Sequence, residues 1–289
     1  MKFAFFGTPA LTLPILERLT QEQLKPSLIV AAPDAPVGRK QLLTSPPSID
    51  WARENEVPFW QPKNKAELIS NTSPLNDTDW DVFVVFAYGA ILPRSIIELP
   101  RTGTLNLHPS LLPKLRGPSP IRSAILTDQR STGVTIIKLD EQMDHGPIVA
   151  QETISVPEAD WPLAGRVFDE LLINAGAELL ARTLPAWCKG DITPEAQDDT
   201  QATYCQMIQK EDARLDIDPG NLPTGDTAYQ ALLKIKAYDG WPTAFFEHHG
   251  VRVKILDADL DENDTLTIHQ VIPAGKQAMS YVDYLKSKN

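Results

Sequence analysis

Asn106 and His108 stand two residues apart in the segment TLNLHPS, at the end of a short apolar run. On a strand, that spacing projects both side chains to one face, so an amide and an imidazole converge on one point. Pro109 holds its predecessor in extended geometry, and Pro113, Pro118 and Pro120 stiffen the loop that follows. A third group, Asp144, lies in the Gly-terminated turn LDEQMDHG between two β-rich runs. A carboxylate set against an imidazole fixes its tautomer and suits it to acid/base work. With no adjacent Ser or Cys nucleophile, Asn, His and Asp point to direct group transfer without a covalent intermediate. The plain alternatives are a histidine that only hydrogen-bonds at a strand end and an aspartate that only closes a turn.

Such side chains need a scaffold that holds two distant segments together. KFAFFG is an apolar run ending in Gly, and TPALTLPILERL follows it with apolar residues at helical spacing. PSLIVAAP, DVFVVFAYG and TGTLNLHP are three further buried strands, and residues 47–56 form a short helix. Strands apolar on both faces imply a parallel sheet covered by helices on each side, so the fold class is α/β: open, mostly parallel, doubly wound and Rossmann-like. Ligands of such sheets lie beyond the carboxyl ends of the strands, where Asn106 and His108 stand. TGVTIIKLD and GPIVAQETISV, joined by EQMDHG, are expected to pair antiparallel at the sheet's far side. The segment PLAGRVFDELLINAGAELLARTLPAW predicts one long amphipathic helix, with Leu163, Val167, Leu171, Ala175 and Leu179 on its apolar stripe. The expected domains are residues 1–190, a linker at 191–204, and a small β-rich domain at 205–289 containing a helix over residues 229–238.

The chain has 289 residues, 42% of them hydrophobic, and a formal charge of −11. Overall acidity repels phosphate at long range, so any contact with nucleic acid must be a local basic patch. The longest apolar runs are too short to cross a bilayer and the start has no cleavage pattern, which predicts a cytoplasmic protein. Cys188 and Cys205 read as reduced structural thiols. His108, His145, His248, His249 and His269 lack metal-ligand spacing, and neither a GxGxxG nor a P-loop pattern is present. No metal or nucleotide cofactor is therefore expected.

LNLHPSLLPKLRGPSPI followed by TGVTIIKLDEQMDHGPIV resembles the signature of the folate-dependent formyltransferase family. FFGTP, PDAPVGRKQLL, FAYGAILP, TYCQMIQKEDARLDI, GWPTAFFE and PAGKQAMS look most like the members of that family that act on methionyl-tRNA. The resemblance implies transfer of the formyl group of 10-formyltetrahydrofolate to the amino group of methionyl-initiator tRNA. Asn106 and protonated His108 would be donors to the oxyanion, and Asp144 would orient His108 and take a proton from the amine through a water. The folate would lie against Phe86, Ala87, Tyr88 and Gly89, the turn of Ser110, Leu111, Leu112 and Pro113, and Leu139 and Asp140. Contacts to tRNA would come from Arg39, Lys40, Lys114, Arg116 and Lys210, with Arg122, Arg252, Lys254 and Lys276 as further basic candidates. The resemblance implies neither a membrane nor a protein partner. The chain departs from the family in two places: Gln41 and Leu42 stand where basic residues are usual, and DLDEND replaces additional strands, which shortens the OB-like C-terminal domain. Formylation of an amino-sugar nucleotide is the alternative activity. Hydrolysis of 10-formyltetrahydrofolate and a non-catalytic folate-binding or RNA-associated role stand behind it.

Overall fold

The computed structural model describes all residues except Arg39, Asn71, Thr72, Lys288 and Asn289, and leaves the side chains of Lys65 and Ser73 undescribed. In chain order the first nine strands are β1 (Phe3–Phe6), β2 (Leu28–Val30), β3 (Ala35–Val37), β4 (Leu42–Thr44), β5 (Phe59–Trp60), β6 (Val82–Val85), β7 (Thr104–His108), β8 (Ser131–Lys138) and β9 (Ile148–Ser155). Among the described residues, seven of them form one sheet in the order β5-β2-β1-β6-β7-β8-β9, while β3 and β4 make a separate hairpin. The strands from β5 to β7 run parallel and β8 runs antiparallel to β7. β5 and the β3–β4 hairpin are not evident in the sequence pattern: β5 is only two residues long, and all six hairpin residues are exposed.

β1, β2 and β6 are buried along their whole length, as helices on both faces require. Phe6, Val30, Phe83, Val85, Tyr88 and Ile96 pack into one apolar cluster on one side of the sheet, with Trp80 set edge-on to Phe83. The chain folds as two compact units. The first comprises Met1–Gly117, Gly133–Ile154 and Leu171–Tyr204, and the second Pro118–Thr132, Ser155–Glu170 and Cys205–Asn289.

The long helix spans Gly165–Lys189. Its buried face only partly matches the expected one: Leu179 is buried and Ala175 half-buried, but Val167 is 49% and Leu171 38% exposed, and Leu172, Ile173, Ala177, Leu180 and Leu184 are buried instead. The reason is geometric, because each step of four residues overshoots a helical turn by about 40° and drifts off any single face. Gly176 lets the helix approach β7 closely, since a Cβ there would stand 2.8 Å from Leu107 Cδ2. A helix thus braces the strand that carries Asn106 and His108.

Gly133 in β8 is tighter still: a Cβ would lie 2.1 Å from the Glu152 carbonyl oxygen, a backbone atom that cannot move aside. Gly133→Ala is therefore expected to lower unfolding stability by about 3 kcal/mol, measured by denaturant titration. A change under about 1 kcal/mol contradicts this packing.

In the second unit, β10 (Phe245–His248), β11 (Val251–Leu260), β12 (Leu266–Pro273) and β13 (Met279–Ser280) form an antiparallel sheet in sequence order. A helix over Gly225–Ala237, longer than expected, shares a core with that sheet through Leu232, Phe246, Val253 and Val271. Ser280 caps the terminal helix, Tyr281–Lys286, by accepting from the Asp283 N–H at 3.1 Å. Among the described residues no helix is long and apolar enough to cross a membrane.

Candidate active site

β7 delivers Asn106 and His108 to one face, with Asn106 opposite Val85 of β6 and His108 opposite Thr135 of β8. The His108 ring is buried, with Nε2 2.9 Å from the Leu115 carbonyl oxygen. A carbonyl only accepts, so Nε2 carries a hydrogen and donates it. Nδ1 faces Asp144, 3.6 Å from Oδ1, which is beyond hydrogen-bond length. The Leu115 carbonyl, rather than the expected carboxylate, therefore sets the tautomer. Asp144 Oδ2 is itself held by the Gly117 N–H at 2.8 Å. Asp144 adopts a left-handed backbone, φ 50°, a conformation that aspartate tolerates better than most residues.

Asn106 and Asp144 line one cavity of about 160 Å3, walled by Ile91, Leu92, Ile97, Leu139 and Met143. A larger open cavity of about 530 Å3 adjoins it through Leu139 to Gln142 but is centred on Arg94, Arg101 and Gly103, and none of Asn106, His108 and Asp144 lines it. Of these two cavities, the smaller is the one where Asn106 and Asp144 meet within an apolar wall.

Of the residues assigned to folate, Leu139 and Asp140 line this cavity. The remainder of its wall near FAYG comes from Val85 before that run and from Ala90, Ile91 and Leu92 after it. Phe86 and Tyr88 are core residues: Tyr88 packs edge-on to Phe6, and burial pushes its phenol up to about 12. Ala87 and Gly89 are exposed, both in left-handed conformations. The turn of Ser110, Leu111, Leu112 and Pro113 is knit internally. Ser110 Oγ donates to the Lys114 carbonyl at 2.6 Å, and Thr135 bonds both the Ser110 carbonyl and the Leu112 N–H.

The segment from Gln197 to Tyr204 folds against the same loops. Gln197 Nε2 donates to the carbonyls of Asp144 and Gly146, each at 2.8 Å, and Thr203 bonds the Leu115 and Arg116 N–H groups. Arg116 departs from its expected place at the tRNA surface. It is 2% exposed, and its guanidinium is held by Gln197 and by Asp199 at 2.7 Å, leaving no face for phosphate. That guanidinium, together with His145, holds the Asp199 carboxyl below its usual range. Arg122 is likewise consumed in a bidentate pair with Asp169, and Arg252 pairs with Glu211 and lies over the Phe245 ring. Lys40, Lys114, Lys210, Lys254 and Lys276 are exposed, and Arg39 lies outside the described residues. Sequence reading missed Leu115, Gly117 and Gln197. The first two act through main chain, and a lone glutamine in a polar stretch carries no signal.

Residues 1–162 match the family model described as Formyl transferase, the class of enzyme that this sheet and this trio of side chains define. The methionyl-tRNA formyltransferase of Chloroflexus aurantiacus is 35% identical over 98% of this chain and 91% of its own length. The chain belongs to the methionyl-tRNA formyltransferase family. Solved structures that share its fold include the methionyl-tRNA formyltransferase of Clostridium thermocellum and a sugar N-formyltransferase from a Shewanella species. The first has a TM-score of 0.58 at 17% identity and covers 97% of this chain and 99% of its own. The second has a TM-score of 0.65 at 16% identity, covering 91% and 99%.

Proposed function

We propose that the protein transfers the formyl group of 10-formyltetrahydrofolate to the α-amino group of methionyl-initiator tRNA, with Asn106, His108 and Asp144 at the reacting carbon. The observation that carries this reading is the placement of Asn106 and Asp144 on one cavity, with His108 Nδ1 3.6 Å from Asp144. The apolar walls, Ile91, Leu92 and Leu139, suit a flat pterin held by main-chain groups.

The neutral amine attacks the formyl carbon, forming a C–N bond and turning the carbonyl oxygen into an oxyanion. Asn106 Nδ2–H and the Nδ1–H of a doubly protonated His108 stabilise that charge, each donor contributing on the order of 3 to 4 kcal/mol. Since Nε2 already donates to Leu115, only the Nδ1 edge serves the reaction. Asp144 Oδ1, whose partner oxygen holds the Gly117 N–H, takes the amine proton through a water. Collapse breaks the bond to N10, which receives that proton, so the charges balance. The tetrahydrofolate and the formylated aminoacyl-tRNA then leave, as products of a cytoplasmic step at the start of translation.

Lys40 in the exposed β3–β4 hairpin, Lys114, Lys210 and Arg39, the residue before Lys40 in the sequence, are the proposed phosphate contacts. Arg39→Ala is expected to raise KM for tRNA and to reduce the slope of log KM against log salt by about 1, with kcat unchanged. An unchanged KM and slope remove that hairpin from the tRNA interface. The reading as a whole is tested by a side-by-side acceptor assay with 10-formyltetrahydrofolate. Charged initiator tRNA should be formylated and an amino-sugar nucleotide should not; formylation of the sugar alone overturns the acceptor assignment.

A further inference from the structure

His145, the residue after Asp144, makes one hydrogen bond and one ion-pair contact that the chemistry above does not use. Its Nδ1 lies 2.6 Å from Asp140 Oδ2 and its Nε2 3.4 Å from Asp199 Oδ2. A carboxylate only accepts, so Nδ1 donates to Asp140, and Nε2 faces a second carboxylate at ion-pair distance, an arrangement that favours the imidazolium. Asp140 lies on the same loop as Asp144, whereas Asp199 lies on the segment that also carries Gln197. Asp199 is anchored in turn by the buried Arg116, and Arg116 follows Leu115, whose carbonyl sets the His108 tautomer. A circuit therefore joins the two catalytic segments through His145, Asp199 and Arg116, none of which lines the cavity.

We propose that His145 is a positioning residue, whose imidazolium ties the Asp144 loop to the segment from Gln197 to Tyr204 and so holds Asp144 opposite His108. The inference rests on the reading of Asp144 as catalytic. Gln197 cooperates with it, because its amide bonds the carbonyls on either side of His145, those of Asp144 and Gly146. The charged groups facing His145 are Asp140 from its own loop and Asp199 from the opposite segment, with Arg116 behind Asp199. Hydrogen bonding to Asp140, reinforced by its charge and that of Asp199, holds the imidazole's pKa above the ordinary histidine value. The contribution of the charged bridge is thus present below the ordinary histidine value, as long as both carboxylates stay ionised, and fades as pH rises through the elevated one.

The test compares wild type with His145→Ala and with His145→Arg, which restores a permanent cation. Two readouts are taken: kcat with KM for each substrate, and hydrogen exchange at the Gly117 amide, which donates to Asp144 Oδ2. In His145→Ala the Gly117 amide is expected to exchange at least about tenfold faster, and kcat to fall about ten- to a hundredfold. KM should stay within about twofold, because positioning and not binding is lost. His145→Arg should recover kcat to within about fivefold of wild type, since the bridging charge is kept. Exchange and kcat within twofold of wild type in His145→Ala overturn the proposal, as do equal losses in both variants. If His145→Ala does not fold, His145→Gln, which keeps bulk without charge, takes the same readouts. Amide exchange needs no substrate, so the proposal and the acceptor assignment can each fail alone.

Discussion

Asp144→Asn is expected to lower kcat by about 10³-fold while leaving the fold and KM for folate nearly unchanged. The substitution is isosteric, and the new amide oxygen still accepts from the Gly117 N–H that now holds Oδ2 at 2.8 Å. What disappears is the negative charge opposite His108 Nδ1 and the group that takes the amine's proton. General acid/base assistance alone is typically worth about 10² to 10⁴-fold. His108→Ala should match this loss of turnover, but it also removes the hydrogen bond from Nε2 to the Leu115 carbonyl, at about 1 kcal/mol of stability. Steady-state kinetics beside a thermal melt separates the two effects. A turnover within tenfold of wild type in Asp144→Asn removes the carboxylate from the chemistry.

The second large effect is expected at Asn106. Truncation to alanine removes a donor from the cavity that it shares with Asp144 and should cost about 10² to 10³-fold in kcat. Asn106 is only half-buried, so stability should change little. Asn106→Asp is the sharper variant, because it places a negative charge where the oxyanion develops and should be at least as damaging as alanine. The effect belongs in kcat rather than KM, since the donor acts on charge that exists only in the transition state. A loss confined to KM reassigns Asn106 to ground-state binding.

Much of the architecture was legible because it follows from periodicity. Runs such as FAFF and VFVV can only be strands buried on both faces, and the parallel sheet follows from their alternation with helical segments. The strand register placing Asn106 and His108 on one face needs only their spacing. The helix over Gly165–Lys189 was legible in extent but only partly in orientation, since a stripe every four residues cannot stay on one side. The cavity wall was legible at Leu139 and Asp140 but shifted around FAYG, where the lining comes from the residues flanking that run.

What the sequence by itself determined is therefore local: which segments are strands and helices, and which polar side chains a strand end and a turn could present to one point. Only the tertiary structure decided what holds those side chains. Leu115 and Gly117 act through main-chain groups that every residue type carries, so no letter in the sequence reveals them. Arg116 illustrates the same limit from the other side: a guanidinium in a proline-rich loop looks like a phosphate contact until Gln197 and Asp199, more than eighty residues later, enclose it. Contacts between such distant segments depend on how the chain returns to the sheet, which spacing along the sequence does not encode.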